Sequence, residues 1–82
     1  FERIISAGDR GGDVVSLQAA LLFDGSYPPS GLSLRDCPLS GSYRECTTLA
    51  VRNFQKKYGI DLSGNVGPST REKLNLIYGA LE

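Results

Sequence analysis

Eighty-two residues leave room for one small core, because a chain of this size buries only about 60 to 65% of the surface it exposes when unfolded. Nine Lys and Arg balance nine Asp and Glu with no long run of like charge, and the longest apolar stretch, Ala19 to Phe23, is far shorter than the roughly 20 residues that span a bilayer. Strong electrostatic attachment to nucleic acid or anionic membrane, and membrane insertion, are therefore not expected, and the absence of His removes the commonest general base and zinc ligand.

In chain order, GDRGGD comes first, with Asp9 and Asp13 among glycines just ahead of an apolar pattern. That setting favours helix capping over a pair of catalytic carboxylates. Val14, Leu17, Leu21 and Leu22 then fall at i, i+3, i+7 and i+8, with Gln18 in the same face, which predicts a first helix over 13–23. Next comes GSYPPSGLSLRDCPLSGSYREC, where Pro28, Pro29 and Pro38 exclude a helix through most of the stretch and predict a long Gly/Ser/Pro loop, the kind of segment that carries function. Ala50, Val51, Phe54 and Tyr58, beside Gln55, predict a second helix over 47–58. Leu74, Ile77, Tyr78 and Leu81 predict a third, opened by Pro68 and capped by a Ser69 to Glu72 box. Gly25, Gly59 and Gly79 follow the three patterns as stop signals. The fold expected is all-α: a single domain over 1–82, a three-helix bundle with a long loop between helices one and two. The start at Phe1 and the absence of Met lead us to expect a segment of a larger protein.

Gln18 and Gln55 are placed facing the core, where an amide is costly unless bonded, so both are expected to hold loop backbone. Neither Cys nor any Ser or Thr has a His to activate it, and no Ser-x-x-Lys run occurs, so no catalytic constellation is expected; nor is a metal site or a cofactor.

The chain repeats itself. Gly41-Ser42-Tyr43-Arg44-Glu45-Cys46-Thr47 laid over Gly64-Asn65-Val66-Gly67-Pro68-Ser69-Thr70 matches a glycine, a hydrophobic residue and a threonine at equal offsets, with Val51 falling on Leu74 and Phe54 on Ile77. GDRGGDVVSLQAAL, GSYRECTTLAVRNFQKKYGI and SGNVGPSTREKLN, in that order, resemble the bacterial peptidoglycan-binding domain of the three-helix type, which occurs attached to cell-wall hydrolases, carboxypeptidases and transpeptidases. The resemblance runs from Ile4 to Tyr78. It departs from the family at Arg44, where Gly is usual, and over 27–39, which is longer than the usual loop.

The resemblance implies a non-catalytic, extracytoplasmic, monomeric module that binds the glycan or stem peptide of peptidoglycan and anchors a linked catalytic domain. A regulatory or scaffolding module that packs on that domain is the alternative, and a helix-turn-helix DNA binder is disfavoured by the balanced charge and the Gly/Ser/Pro insert. Cys37 and Cys46 are spaced so that a disulfide can close one loop, which an extracytoplasmic setting favours over two free thiols. The binding surface expected is the two repeated turns, the starts of helices two and three, and the long loop. Arg44 and Arg71 are candidates for a carboxylate, Asn53 and Asn65 for N-acetyl carbonyls, and Tyr27 for stacking on a sugar ring. Surface arginine and turn asparagine are the plainer readings of these residues.

Overall fold

A computed structural model describes residues 5–29 and 31–78. Three helices run in order, α1 over Gly12–Asp24, α2 over Glu45–Lys57 and α3 over Pro68–Tyr78, within an extent of 29 × 25 × 22 Å. Among the described residues extended pairing is limited to two isolated antiparallel bridges, Ile5 with Val66 and Arg10 with Ser42. The all-α three-helix expectation holds.

Helix ends follow local chemistry. Gly11 precedes α1 with no side-chain cap, so Asp9 and Asp13 do not cap this helix as expected. Asp13 sits inside the first turn, where a carboxylate faces the positive end of the dipole, and Asp9 closes the preceding turn by accepting the Ser6 N–H at 3.0 Å. Gly25 ends α1 in the left-handed conformation. Arg44 is extended at φ −124° and ψ −156°, which lets α2 begin at Glu45, two residues earlier than the apolar spacing predicts. Because α3 begins at Pro68, Ser69 lies within its first turn and cannot be the cap of the predicted box. Gly79 and Leu81 lie outside the described residues.

The core is built from one face of each helix plus the turns. Val14, Leu17 and Leu21 of α1 meet Ala50, Val51 and Phe54 of α2, with Leu74 of α3 and the turn residues Tyr43 and Val66 closing the cluster. Leu22 and Ile77, expected in the core, are each 37% exposed. Periodicity locates a face without giving its width: Leu22 stands about 100° round α1 from Leu21 and Ile77 about 60° round α3 from Leu74, beyond what neighbours cover in so small a bundle. Among the described residues no helix is long and apolar enough to cross a membrane.

Residues 5–11 bind the two repeated turns together. Ile5 exchanges both backbone bonds with Val66, at 3.2 and 2.7 Å. Gly8 N–H donates to the Tyr43 carbonyl at 2.8 Å, Tyr43 N–H to that of Asp9 at 2.9 Å, and Gly11 N–H to that of Gly41 at 3.0 Å. The first glycine of each unit is obligatory. Gly41 and Gly64 have φ of 78° and 80°, and a Cβ there would lie 2.9 Å from the Val15 methyl and 2.8 Å from the Thr48 methyl. Gly64→Ala is expected to cost about 3 kcal/mol in denaturant unfolding, adding a steric term to the 1–2 kcal/mol of the left-handed backbone, whereas Gly25→Ala, with open space around it, costs about 1 kcal/mol. Equal costs would show that packing against α2 is not what selects glycine at 64.

Candidate ligand-binding face

Each repeated turn is held from behind by one buried glutamine. Gln18 Oε1 accepts the Gly41 N–H at 2.9 Å while its Nε2 donates to the Ser42 carbonyl at 3.2 Å and to Thr47 Oγ1 at 2.9 Å. Gln55 does the same for the second copy: Oε1 accepts the Gly64 N–H at 3.0 Å, and Nε2 donates to the Asn65 carbonyl at 2.9 Å and to Thr70 Oγ1 at 3.0 Å. Among the described residues no buried side-chain polar atom lacks a partner, so these amides are consumed by the turns, as the sequence reading expects. The copies are joined by Tyr43, whose hydroxyl donates to the Gly64 carbonyl. Burial, and after it the Asp9 charge, pushes the Tyr43 phenol well above its ordinary value.

In front of the first turn lie two clefts that share Ser42 and Arg44. One, of about 340 Å³, is walled by Asp36, Pro38, Glu45 and the Cys37–Cys46 pair. The other, of about 270 Å³, is lined by Gly8 to Arg10 and Tyr43. Cys37 and Cys46 are disulfide-bonded across nine residues, with Cα atoms 5.8 Å apart. The bridge fastens the long loop to the start of α2 and forms one side of the larger cleft. Replacing both cysteines by serine is expected to lower stability by about 2 to 3 kcal/mol through loop-closure entropy. Alkylation of the untreated protein should add no mass, and addition of two alkyl groups would contradict the bond.

The candidate residues do not all form one site: Tyr27 and Arg44 both line the larger cleft, and the other three lie outside both clefts. Arg44 is exposed on the ridge between the clefts. Tyr27, expected as a stacking ring in an open loop, is instead 2% exposed and belongs to the core, with its hydroxyl donating to the Pro38 carbonyl at 2.8 Å. The loop is tied down over it by the disulfide, so its ring face is not offered to a sugar. Asn65 accepts the Ala7 N–H through Oδ1 at 3.1 Å, a turn role, while the positive φ of that turn belongs to Gly64. Asn53 is exposed on α2, about 13 Å along the axis from Arg44. Arg71 is half-buried in the first turn of α3. Neither cleft includes Asn53, Asn65 or Arg71. The clefts add Arg10, Asp36, Ser42 and Glu45; the last three lie in the long loop, the first repeated turn and the start of α2, within the expected surface, while Arg10 of GDRGGD falls outside it.

At the opposite end, Asp24 gathers the three helix ends. Its Oδ1 accepts the Tyr58 and Tyr78 hydroxyls at 2.6 and 2.7 Å, and its Oδ2 accepts the Ser26 hydroxyl at 2.7 Å and the Lys57 ammonium at 3.3 Å. With both oxygens occupied by donors from α2, α3 and the segments that follow α1 and α2, this carboxylate is a structural pin. Among the described residues no cluster of three or more His, Cys, Asp or Glu is placed to hold a metal ion.

The chain is similar to known proteins in sequence and in fold. A family model described as "Putative peptidoglycan binding domain" matches residues 10–74. The chain is 36% identical over 73 residues to a spore cortex-lytic enzyme of Halalkalibacterium halodurans, covering 89% of this chain and 20% of that protein. It is 36% identical over 74 residues to the N-acetylmuramoyl-L-alanine amidase CwlL of Bacillus licheniformis, covering 90% of this chain and 19% of that protein. It spans about a fifth of the length of these relatives. The crystal structure of the SleB N-terminal domain superposes with a TM-score of 0.73 at 32% identity, covering 90% of both chains. The chain belongs to the peptidoglycan-binding domain family.

Proposed function

We propose that the chain is a non-catalytic, monomeric module that binds peptidoglycan outside the cytoplasm and holds a covalently linked cell-wall enzyme against its substrate. The observation that carries this reading is the proportion of the match: the unit accounts for nearly all of this chain but about a fifth of the lytic enzymes it resembles, so their remaining length is available for chemistry. Tethering then acts by effective concentration, since a bound module keeps the linked active site near many bonds of one polymer. The disulfide supports an oxidising location.

Arg44 is the residue we set against the wall. The isolated chain is expected to pellet with purified sacculi, and Arg44→Ala to weaken that binding about tenfold with an unchanged helical circular dichroism spectrum, as for loss of one charge-assisted contact. Lys56→Ala, an exposed change on α2, serves as a surface control and should pellet like the parent. A chain that stays in the supernatant would refute the reading. That outcome would favour the alternative, a module that docks on its linked domain, for which the 78% exposure of Phe23 and 77% exposure of Leu76 are the supporting observation.

A further inference from the structure

The internal repeat supplies its own control. Both turn units are built from the same parts, a buried glutamine, a glycine, a core residue two places on and a threonine six places on. Copy two completes this frame with Gly67, Pro68 and Ser69 where copy one has Arg44, Glu45 and Cys46. The charges and the disulfide of copy one are therefore not needed to make the turn. They are spent on the surface, where they line the two clefts.

The two clefts differ in charge. The larger is lined by two acids, Asp36 and Glu45, and the smaller by two arginines, Arg10 and Arg44, with Arg44 bordering both. Asp9 also lines the smaller cleft, accepting the Ser6 N–H through Oδ2, so that cleft carries two guanidiniums against one carboxylate. Asp36 holds the Ser33 turn through Oδ2, at 3.2 Å from both the Ser33 nitrogen and its hydroxyl, which fixes the position of that carboxylate. A pair of neighbouring sites with opposite charge fits one ligand that carries both an anion and a cation. Planar guanidiniums suit a carboxylate, and the carboxylates opposite suit an ammonium. Neither cleft offers an exposed aromatic ring to a sugar, since Tyr27 and Tyr43 are 2% and 1% exposed. The larger cleft, at about 340 Å³, is at the small end of the roughly 300 to 1,000 Å³ of ligand pockets, a size for one or two residues.

Resting on the reading of the chain as a peptidoglycan-binding module, we propose that the paired clefts recognise the stem peptide, at a diamino-acid residue whose free carboxylate lies against Arg10 and Arg44 and whose free ammonium lies against Glu45 and Asp36. The contacts are solvent-exposed, so binding is modest and weakens as salt is raised.

The test is an amide chemical-shift titration of the chain with a synthetic stem tripeptide ending in such a residue. It is run beside the same peptide with its side-chain amine acetylated, the same peptide with its terminal carboxylate amidated, and an N-acetylglucosamine oligosaccharide. The free tripeptide is expected to shift Arg10, Ser42, Arg44 and Glu45, and each blocked peptide to bind about tenfold more weakly. Glu45→Gln should erase the discrimination against the acetylated peptide alone, and Arg44→Gln that against the amidated peptide alone, a crossed pattern that loss of folding cannot produce. Equal binding of the three peptides, or shifts of these amides by the oligosaccharide alone, would overturn the assignment. If the protein still pellets with sacculi in that case, wall binding stands and only the stem-peptide assignment falls. If it does not pellet, the functional reading falls with it.

Discussion

Gln55→Ala is expected to remove about 4 kcal/mol of stability and leave much of the protein unfolded at room temperature. Gln55 is 1% exposed, and its truncation strands the Gly64 N–H and the Thr70 hydroxyl in the interior, while the Asn65 carbonyl keeps the Gly67 N–H and the Ser63 hydroxyl, each at 3.1 Å. Each buried group left without a partner costs about 1–3 kcal/mol, against a total of about 4–12 kcal/mol for a domain of 82 residues. Thr70→Val removes only one of these partners and keeps the shape, so about 1 kcal/mol is expected from it. A double-mutant cycle of Gln55→Leu with Thr70→Val should show a coupling of at least about 1 kcal/mol, because the two side chains share one bond. Gln18→Ala, which frees Gly41 and Thr47 in the same manner, is expected to behave alike. Urea midpoints measured at constant slope decide the matter, and a loss below about 1 kcal/mol for Gln55→Ala would show that the clamp does not hold the second turn.

These clamps also define what the sequence could disclose. The helices are legible because each carries its own apolar spacing and stop signal, all local properties. The repeated turns are legible because both copies obey the same steric demand at Gly41 and Gly64. The equivalence of the two glutamines is harder to see, since Gln18 stands 23 residues before its glycine and Gln55 only nine before its own. Tyr27 is misread for a related reason: proline, serine and glycine neighbours mark exposed chain, but burial is imposed by the Pro38 segment and the disulfide, which are distant in sequence. The clefts are the least legible feature, because their walls come from 8–10, 27, 36–40 and 42–47, segments that only the folded chain brings together. Asp24 did leave a signal. An acid at the C-terminal end of a helix opposes the dipole and asks for compensating donors, which Tyr58, Tyr78, Ser26 and Lys57 supply.

That carboxylate and the tyrosines are expected to bound the stability of the protein on both sides of neutral pH. The Asp24 side chain is 1% exposed; burial alone raises its pKa, but the hydroxyls of Tyr58, Ser26 and Tyr78 and the Lys57 ammonium outweigh burial and hold it below 3.8. A folded pKa below the unfolded one gives stability that is fully present above pH 3.8 and is lost as pH falls through the folded value. Asp24→Asn should remove this acid dependence and cost about 2–3 kcal/mol at neutral pH, since the amide keeps one acceptor and turns a donor toward donors. Tyr58→Phe or Tyr78→Phe each takes away one donor and should shift acid unfolding upward in pH. On the alkaline side all four tyrosines are pushed above 10.0: Tyr27, Tyr43 and Tyr78 first by burial, Tyr58 first by its bond to Asp24. Here the folded pKa exceeds the unfolded one, so stability is intact below pH 10.0 and falls as pH rises beyond it. Tyrosinate absorbance in the native protein should therefore stay low through pH 10 and rise together with the loss of helical circular dichroism. A tyrosine that ionises at its ordinary pH while the helices persist would break the link between the phenols and the packing they are held to support. Tyr58 and Tyr78 would then have to be released from Asp24 without separating the helix ends that this carboxylate joins.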